Sequence, residues 1–310
     1  MKRIICSFFS SCLLTVGVIY AQNQGDGAAA AAIDSSTTTV DSKMEVYVKE
    51  NIPFKKPIPY APVREADVYY EKTVWRMVDL RQKQNLPLYY PIAPNRKIGG
   101  RVNFFHLLLE GLERGEITAY NPMPVSDEFA SNQVKTYEEI IGNPSLKDED
   151  REEISVSVFT GADTTIMIPG ADVLQDQEVV RILIKEKWFF DRRHSRLDCR
   201  VVGICPYFHF QKLLEGGETR LSIIPVMWLY YDEIRPLLAR HAVFNPLNDA
   251  QNVSYDDFFM MHRYSGVIEK ETNVYNNRYI SDYAKGVDAL FEAARIENEI
   301  FNFEQDQWEY

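Results

Sequence analysis

The sequence predicts an α+β domain: a mainly antiparallel sheet with flanking helices and an extended N-terminal arm. Three observations carry that reading. Val180 to Asp191 and Leu197 to Cys205 alternate apolar and polar residues on either side of a polar turn, the pattern of a β-hairpin. Phe104 to Glu113 and Ser281 to Phe301 repeat apolar residues at helical spacing instead. Val46 to Val63 carries Pro53, Pro57, Pro59 and Pro62, a density that blocks helix interiors and central strands.

In chain order, Lys2 and Arg3 precede an apolar run from Ile4 to Tyr20, which ends at Ala21 before Gln22. That is the form of a secretory signal peptide over residues 1–21, cleaved between Ala21 and Gln22. Ser7, Ser10 and Ser11 interrupt the run, leaving it too short and too weakly apolar to span a bilayer. Cys12 lies inside the run rather than after it, which argues against lipid attachment. Residues 22–45, rich in Ala, Gly, Ser and Thr, read as a flexible linker. Residues 46–65 form the arm, whose Phe54, Ile58 and Tyr60 need a surface, either their own domain or a partner. Residues 66–310 make up the folded body. A charged connector, Lys147 to Glu153, suggests subdomains 66–146 and 154–310.

Within the body, Glu65 to Gln82 is expected to be helical, with Val74, Val78 and Arg81 on one face beside Trp75. Leu86 to Pro91 should be extended or turning. Phe104 to Glu113 forms a helix stopped at Gly115, Ile117 to Tyr120 a short strand, and Thr136 to Ile141 a short helix. Glu186 alone breaks the apolar face of the first hairpin strand. Cys199 and Cys205 share a face of the second, about 20 Å apart at strand rise, and are read as free thiols. Leu221 to Tyr231 is a further strand, and Pro236 belongs in the first turn of a helix running to His241. Phe244 to Asp249 is a loop. Ser254 to Asp257 has the form of a capping box opening a helix through His262. Ser281 and Asp282 begin the longest helix, with Tyr283, Val287, Leu290, Phe291, Ala294 and Phe301 down its apolar side. The aromatic tail Phe303, Trp308 and Tyr310 is expected to dock on something.

The net charge of −11, two units more negative once Lys2 and Arg3 leave with the leader, disfavours nucleic acid and anionic lipid as partners. The sequence holds no Gly-x-Ser-x-Gly elbow, phosphate-binding loop, dinucleotide glycine fingerprint or His-Glu-x-x-His site. His106 and Glu110 could share a helix face, as many surface pairs do without a metal. Asp256 and Asp257 diverge by about 100° on a helix and read as first-turn charges facing the dipole, as do Asp232 and Glu233. An apolar strand face raises the pKa of the Cys199 thiol instead of activating it. No catalytic, cofactor or metal residue is therefore assigned. The doublets Tyr69-Tyr70, Tyr89-Tyr90, Phe189-Phe190, Tyr230-Tyr231 and Phe258-Phe259 should each place one ring inward and one outward. Outward rings suit an interaction protein.

Several longer strings carry a resemblance. Trp75 to Arg81 followed by Pro87 to Pro91, the hairpin strings Ile184 to Asp191 and Arg200 to Ile204, then Phe244-Asn245-Pro246, Arg263-Tyr264-Ser265 and Glu271 to Tyr275 occur in order. Together they resemble the GldN/PorN family, from about Val68 to the C-terminus, with Cys205 and Asn276 as departures. The resemblance implies a periplasmic, non-enzymatic component of the type IX secretion and gliding machinery of the Bacteroidetes. It implies self-association in a ring built with an outer-membrane lipoprotein of the GldK/PorK type, which would hold the protein at the outer membrane. It further implies contact with the periplasmic part of a GldM/PorM-type motor protein, no cofactor, and no membrane span of its own. Phe54, Tyr60, Phe303, Trp308 and Tyr310 are the candidate partner contacts. Two other classes compete. A periplasmic hydrolase or metal enzyme would gather a noncontiguous site, and a glycan-binding module would expose a planar row of rings.

Overall fold

The computed structural model describes residues 55–92, 101–122, 129, 134–141, 179–213, 219–246, 248 and 251–307. The leader, the linker, the first part of the arm, the charged connector at 147–153 and the last three residues lie outside that set.

The predicted hairpin is the spine of the molecule. β4 (Val179–Asp191) and β5 (Arg196–Leu213) pair antiparallel from Asp191 opposite Arg196 to Val179 opposite Phe208. β1 (Val68–Asp79) lies along the other edge of β4, and β10 (Val267–Glu271) lies outside β1. Beyond β5, the sheet continues through β7 (Trp228–Tyr230), β2 (Ala119–Tyr120) and β3 (Val134–Lys135), while β6 (Thr219–Pro225) pairs with the far end of β5. All these pairs are antiparallel, and a separate small ribbon joins β8 (Ala242–Val243) to β9 (Val253–Ser254).

The expected helix at 65–82 is β1, preceded by a 3-10 turn at Glu65–Asp67. Residues four apart share a face in a helix and in a strand, so Val74 and Val78 fit both patterns. Trp75 decides between them. It packs on the opposite side of the sheet from Val74, so successive residues are buried there because both faces are covered at that point. The two cysteines also part company. Lys185 pairs with Gly203 but Glu186 pairs with Val201, so Val202 is an extra bulged residue that inverts the alternation. Cys199 then faces the side of Trp188, and Cys205 packs with Trp75 and Leu183 on the other. Both are free.

Helices cap the sheet. Of the extended or turning chain expected at Leu86–Pro91, α1 (Leu86–Tyr89) takes the turn, with Pro87 in its first turn, where no backbone N–H is needed. α2 (Phe104–Glu113) begins at Asn103, whose side chain accepts the Phe105 N–H at 2.8 Å, and Gly115 beyond its end has φ +69°. α3 spans Tyr137–Ile141. The strand expected over 221–231 ends instead at Pro225, resumes as β7, and gives way at Tyr231 to α4 (Tyr231–Ala239). Pro236 therefore lies inside α4 rather than in its first turn. α5 (Tyr255–Met260) opens with the predicted capping box at Ser254 and Asp257. The longest helix starts later than expected: a 3-10 turn takes Ile280–Asp282, and α6 runs Val287–Asp306.

One sheet face carries two apolar clusters. α2, α4 and α5 pack over Val78, Ile182, Ile184 and Ile204, whereas α6 packs Ala293, Ile296 and Ile300 over Val74 and Ile268. The opposite face holds Trp75, Leu183, Cys205 and Trp228 with Phe129. Because both faces are covered, Phe189 and Phe190 are both buried, and so are Phe258 and Phe259. Only some doublets follow the one-in, one-out rule, as Tyr69 shows by standing two-thirds exposed.

Candidate partner interface

The arm lies on its own domain where it is described. The Tyr60 ring is clamped between the guanidinium groups of Arg235 at 4.2 Å and Arg200 at 4.7 Å. The same arginines hold the arm's backbone: Arg235 donates to the Ile58 carbonyl, and Arg200 to the Ala61 carbonyl at 2.6 Å. Arg193 adds a bond to the Pro62 carbonyl, also 2.6 Å. Burial pushes the Tyr60 hydroxyl up to about 12, against the opposing pull of Arg235. An arm without backbone ladder bonds thus finds cations for its carbonyls and its ring.

Asp256 and Asp257 do more than face a helix dipole. Asp256 is buried, accepts from Arg235 Nε at 3.0 Å and from the Tyr231 hydroxyl at 3.0 Å, and so aims the clamp at Tyr60. Asp257 closes the capping box and forms an ion pair with Lys55 of the arm. Burial alone would raise its pKa, but Lys55 and the Ser254 hydroxyl and N–H hold the carboxyl below its ordinary range.

Glu186, the residue that breaks the hairpin's apolar face, is buried between the two clusters of that face. Its carboxylate accepts from Arg76 Nε at 3.1 Å, the Tyr264 hydroxyl at 2.9 Å and Trp188 Nε1 at 3.1 Å. Arg76 reaches on to the Gly266 carbonyl and to Glu297 of α6, each at 3.0 Å. Gly266 permits this approach, since a Cβ there would stand 2.4 Å from the Met77 carbonyl oxygen. Burial, then Glu186, pushes the Tyr264 hydroxyl well above its usual value. Lys72 makes a second tie, bridging Glu271 at 2.9 Å and Glu299 of α6 at 3.2 Å. Phe303 makes a third, stacking on Tyr70 at 4.0 Å and meeting Phe190 edge-on at 5.9 Å.

These ties seat α6 by the face opposite to the one its sequence advertises. Val287 is 64% exposed, Leu290 55%, Phe291 68% and Phe301 55%, although they belong to the apolar side read from the sequence. The helix is apolar on two faces, and the smaller one, Ala293, Ile296 and Ile300, was chosen for the sheet. Beyond its N-terminal end, Arg278 stacks on Tyr275 at 4.5 Å and Tyr283 at 4.4 Å. Two recesses flank α6: one of about 730 Å³ beside Phe291, Ala294 and Asn298, another of about 450 Å³ beside Ile300, Phe301 and Trp188.

Glu110 pairs with Arg114 on the surface of α2, and no group of three or more potential metal ligands occurs among the described residues. Burial, with Glu186 nearby, pushes the Cys199 thiol well above its ordinary value. No helix among the described residues is long and apolar enough to cross a membrane. Ala21, Gln22, Phe54, Trp308 and Tyr310 lie outside the described residues, while Tyr60 and Phe303 make the contacts given above. Sequence reasoning missed Arg76 and Glu186. Their only signal was a lone carboxylate in one apolar strand and an arginine in another apolar run, 110 residues apart.

No individually curated protein matches this chain. Residues 63–309 match the family model described as gliding motility associated protein GldN, as the strings from Trp75 to Tyr275 led one to expect. Since that match runs through every described strand and helix, the chain belongs to the GldN family of gliding motility associated proteins.

Proposed function

We propose that the protein is a non-enzymatic structural component of the type IX secretion and gliding machinery, working in the periplasm. In this reading the leader is removed between Ala21 and Gln22. The body then assembles into a ring with an outer-membrane lipoprotein of the GldK/PorK type and meets the periplasmic part of a GldM/PorM-type motor. Membership of the GldN family over residues 63–309 is the observation that carries it. The chemistry of the described residues agrees in kind. Buried Glu186 and Asp256 are paired with Arg76 and Arg235, and exposed apolar residues line α6. Phe54, Trp308 and Tyr310 are proposed as partner contacts, while Tyr60 and Phe303 act by holding the arm and α6 in place.

The test is purification of the tagged full chain from cell envelopes, with the particles imaged by electron microscopy. Rings containing a lipoprotein are expected. A soluble monomer that retains no envelope protein would sink the proposal, as would stoichiometric metal accompanied by turnover of a small molecule.

A further inference from the structure

The outward face of α6 is an exposed apolar ridge with acidic residues beside it. Val287, Leu290, Phe291, Ala294 and Phe301 lie along one side of the helix, within about 50° of a common direction and over roughly 21 Å, with Asn298 the polar residue between the last two. Most of these side chains are more exposed than covered, and a recess runs along each flank. A ridge between two grooves is the surface into which the side chains of a second helix interlock. An isolated apolar residue on a surface needs no explanation, but a contiguous row of them does.

The rim selects the occupant. α6 carries six acidic residues and one arginine, for a net charge of −5. Glu292, Glu297 and Glu299 are engaged by Arg295, Arg76 and Lys72. Asp288, Glu304 and Asp306 make no ion pair among the described residues, so acid flanks the ridge near both ends. A second copy of this helix would bring −5 against −5 around an apolar strip, and like-charge juxtaposition disfavours that pairing. A cationic helix would instead neutralise the rim while covering the ridge.

Resting on the structural role proposed above, we infer that α6 is the docking face for an amphipathic helix of a partner protein, with an apolar stripe about four turns long flanked by Lys and Arg. Its other face, through Arg76–Glu297, Lys72–Glu299 and Phe303–Tyr70, anchors that platform to the sheet.

The test uses the full chain and two synthetic helical peptides with one leucine stripe, flanked by lysines in the first and glutamates in the second. Fluorescence anisotropy should show the lysine peptide binding, more weakly as salt rises, and the glutamate peptide at least tenfold weaker. The double substitution Leu290→Ser with Phe291→Ser should weaken the lysine peptide on the order of a hundredfold, as loss of two central apolar anchors does. Both positions face solvent, so circular dichroism and melting should not change. In the triple variant Asp288→Asn, Glu304→Gln and Asp306→Asn, the salt dependence should flatten while apolar binding persists. Equal binding of both peptides, or of wild type and the Ser variant, would overturn the inference. So would dimerisation abolished by Phe291→Ser, or Phe291-dependent binding to lipid vesicles. If wild type and the Ser variant recover the same envelope proteins, the docking face is wrong and the structural role stands. If wild type recovers none, the structural role fails whatever the peptides do.

Discussion

Glu186 and Arg76 show how one buried pair can hold two halves of a sheet face together. Each costs several kcal/mol to desolvate, and three donors on Glu186 with three acceptors around Arg76 are what offset that cost. Arg76→Met leaves the carboxylate buried without its cation and should destabilise the protein by about 3–5 kcal/mol in urea denaturation. The double variant Arg76→Met with Glu186→Leu should recover part of that loss, because no lone charge remains. A single variant no less stable than wild type would show that the pair is not what joins α6 to the sheet. The thiols make a second prediction at this scale. Cys205 is fully buried, and burial pushes the Cys199 thiol up, so neither should react with a thiol reagent at neutral pH until denaturant is added. Rapid labelling of Cys199 in the native protein would contradict that. The raised Cys199 thiol was readable from its apolar strand, but the pairing of Arg76 with Glu186 was not, because a charge partner 110 residues away has no local signal.

At the scale of elements, the arm and α5 are one unit joined through Lys55–Asp257 and the Tyr60 clamp. The Asp257 carboxyl is held below its ordinary value of 3.8, so its contribution is complete above that pH and is lost as pH falls through the lower, folded value. Amide hydrogen exchange at residues 55–62 should therefore accelerate in that acid window, ahead of the sheet. Exchange of arm and sheet in step would refute the coupling. Ser254→Ala removes the cap and one of the bonds to Asp257, and should cost about 1 kcal/mol in thermal or urea unfolding. The helices bounded by Gly115 and by the Ser254 box were legible for this reason, since each signal lies within a few residues of the helix end it sets. The Asn103 cap of α2 was missed. β1 was not legible, since Val74, Trp75 and Arg76 are buried in succession and erase the alternation that marks a strand.

At the scale of the molecule, the negative balance of the chain and the acidic flanks of α6 make association with basic surfaces favourable and screenable. Recovery of envelope partners should fall as salt rises across the purification buffers, and recovery independent of salt would show that charge plays no part. By itself, the sequence determined the hairpin, the helices at Phe104–Glu113 and Tyr255–Met260, and the family, because each is written in neighbouring residues or in strings read in order. The tertiary structure alone decided which way α6 turns, since both its faces are apolar and only the positions of Val74, Arg76 and Lys72 distinguish them. It likewise decided the side each cysteine occupies, because one bulged residue at Val202 inverts an alternation that the sequence shows as unbroken.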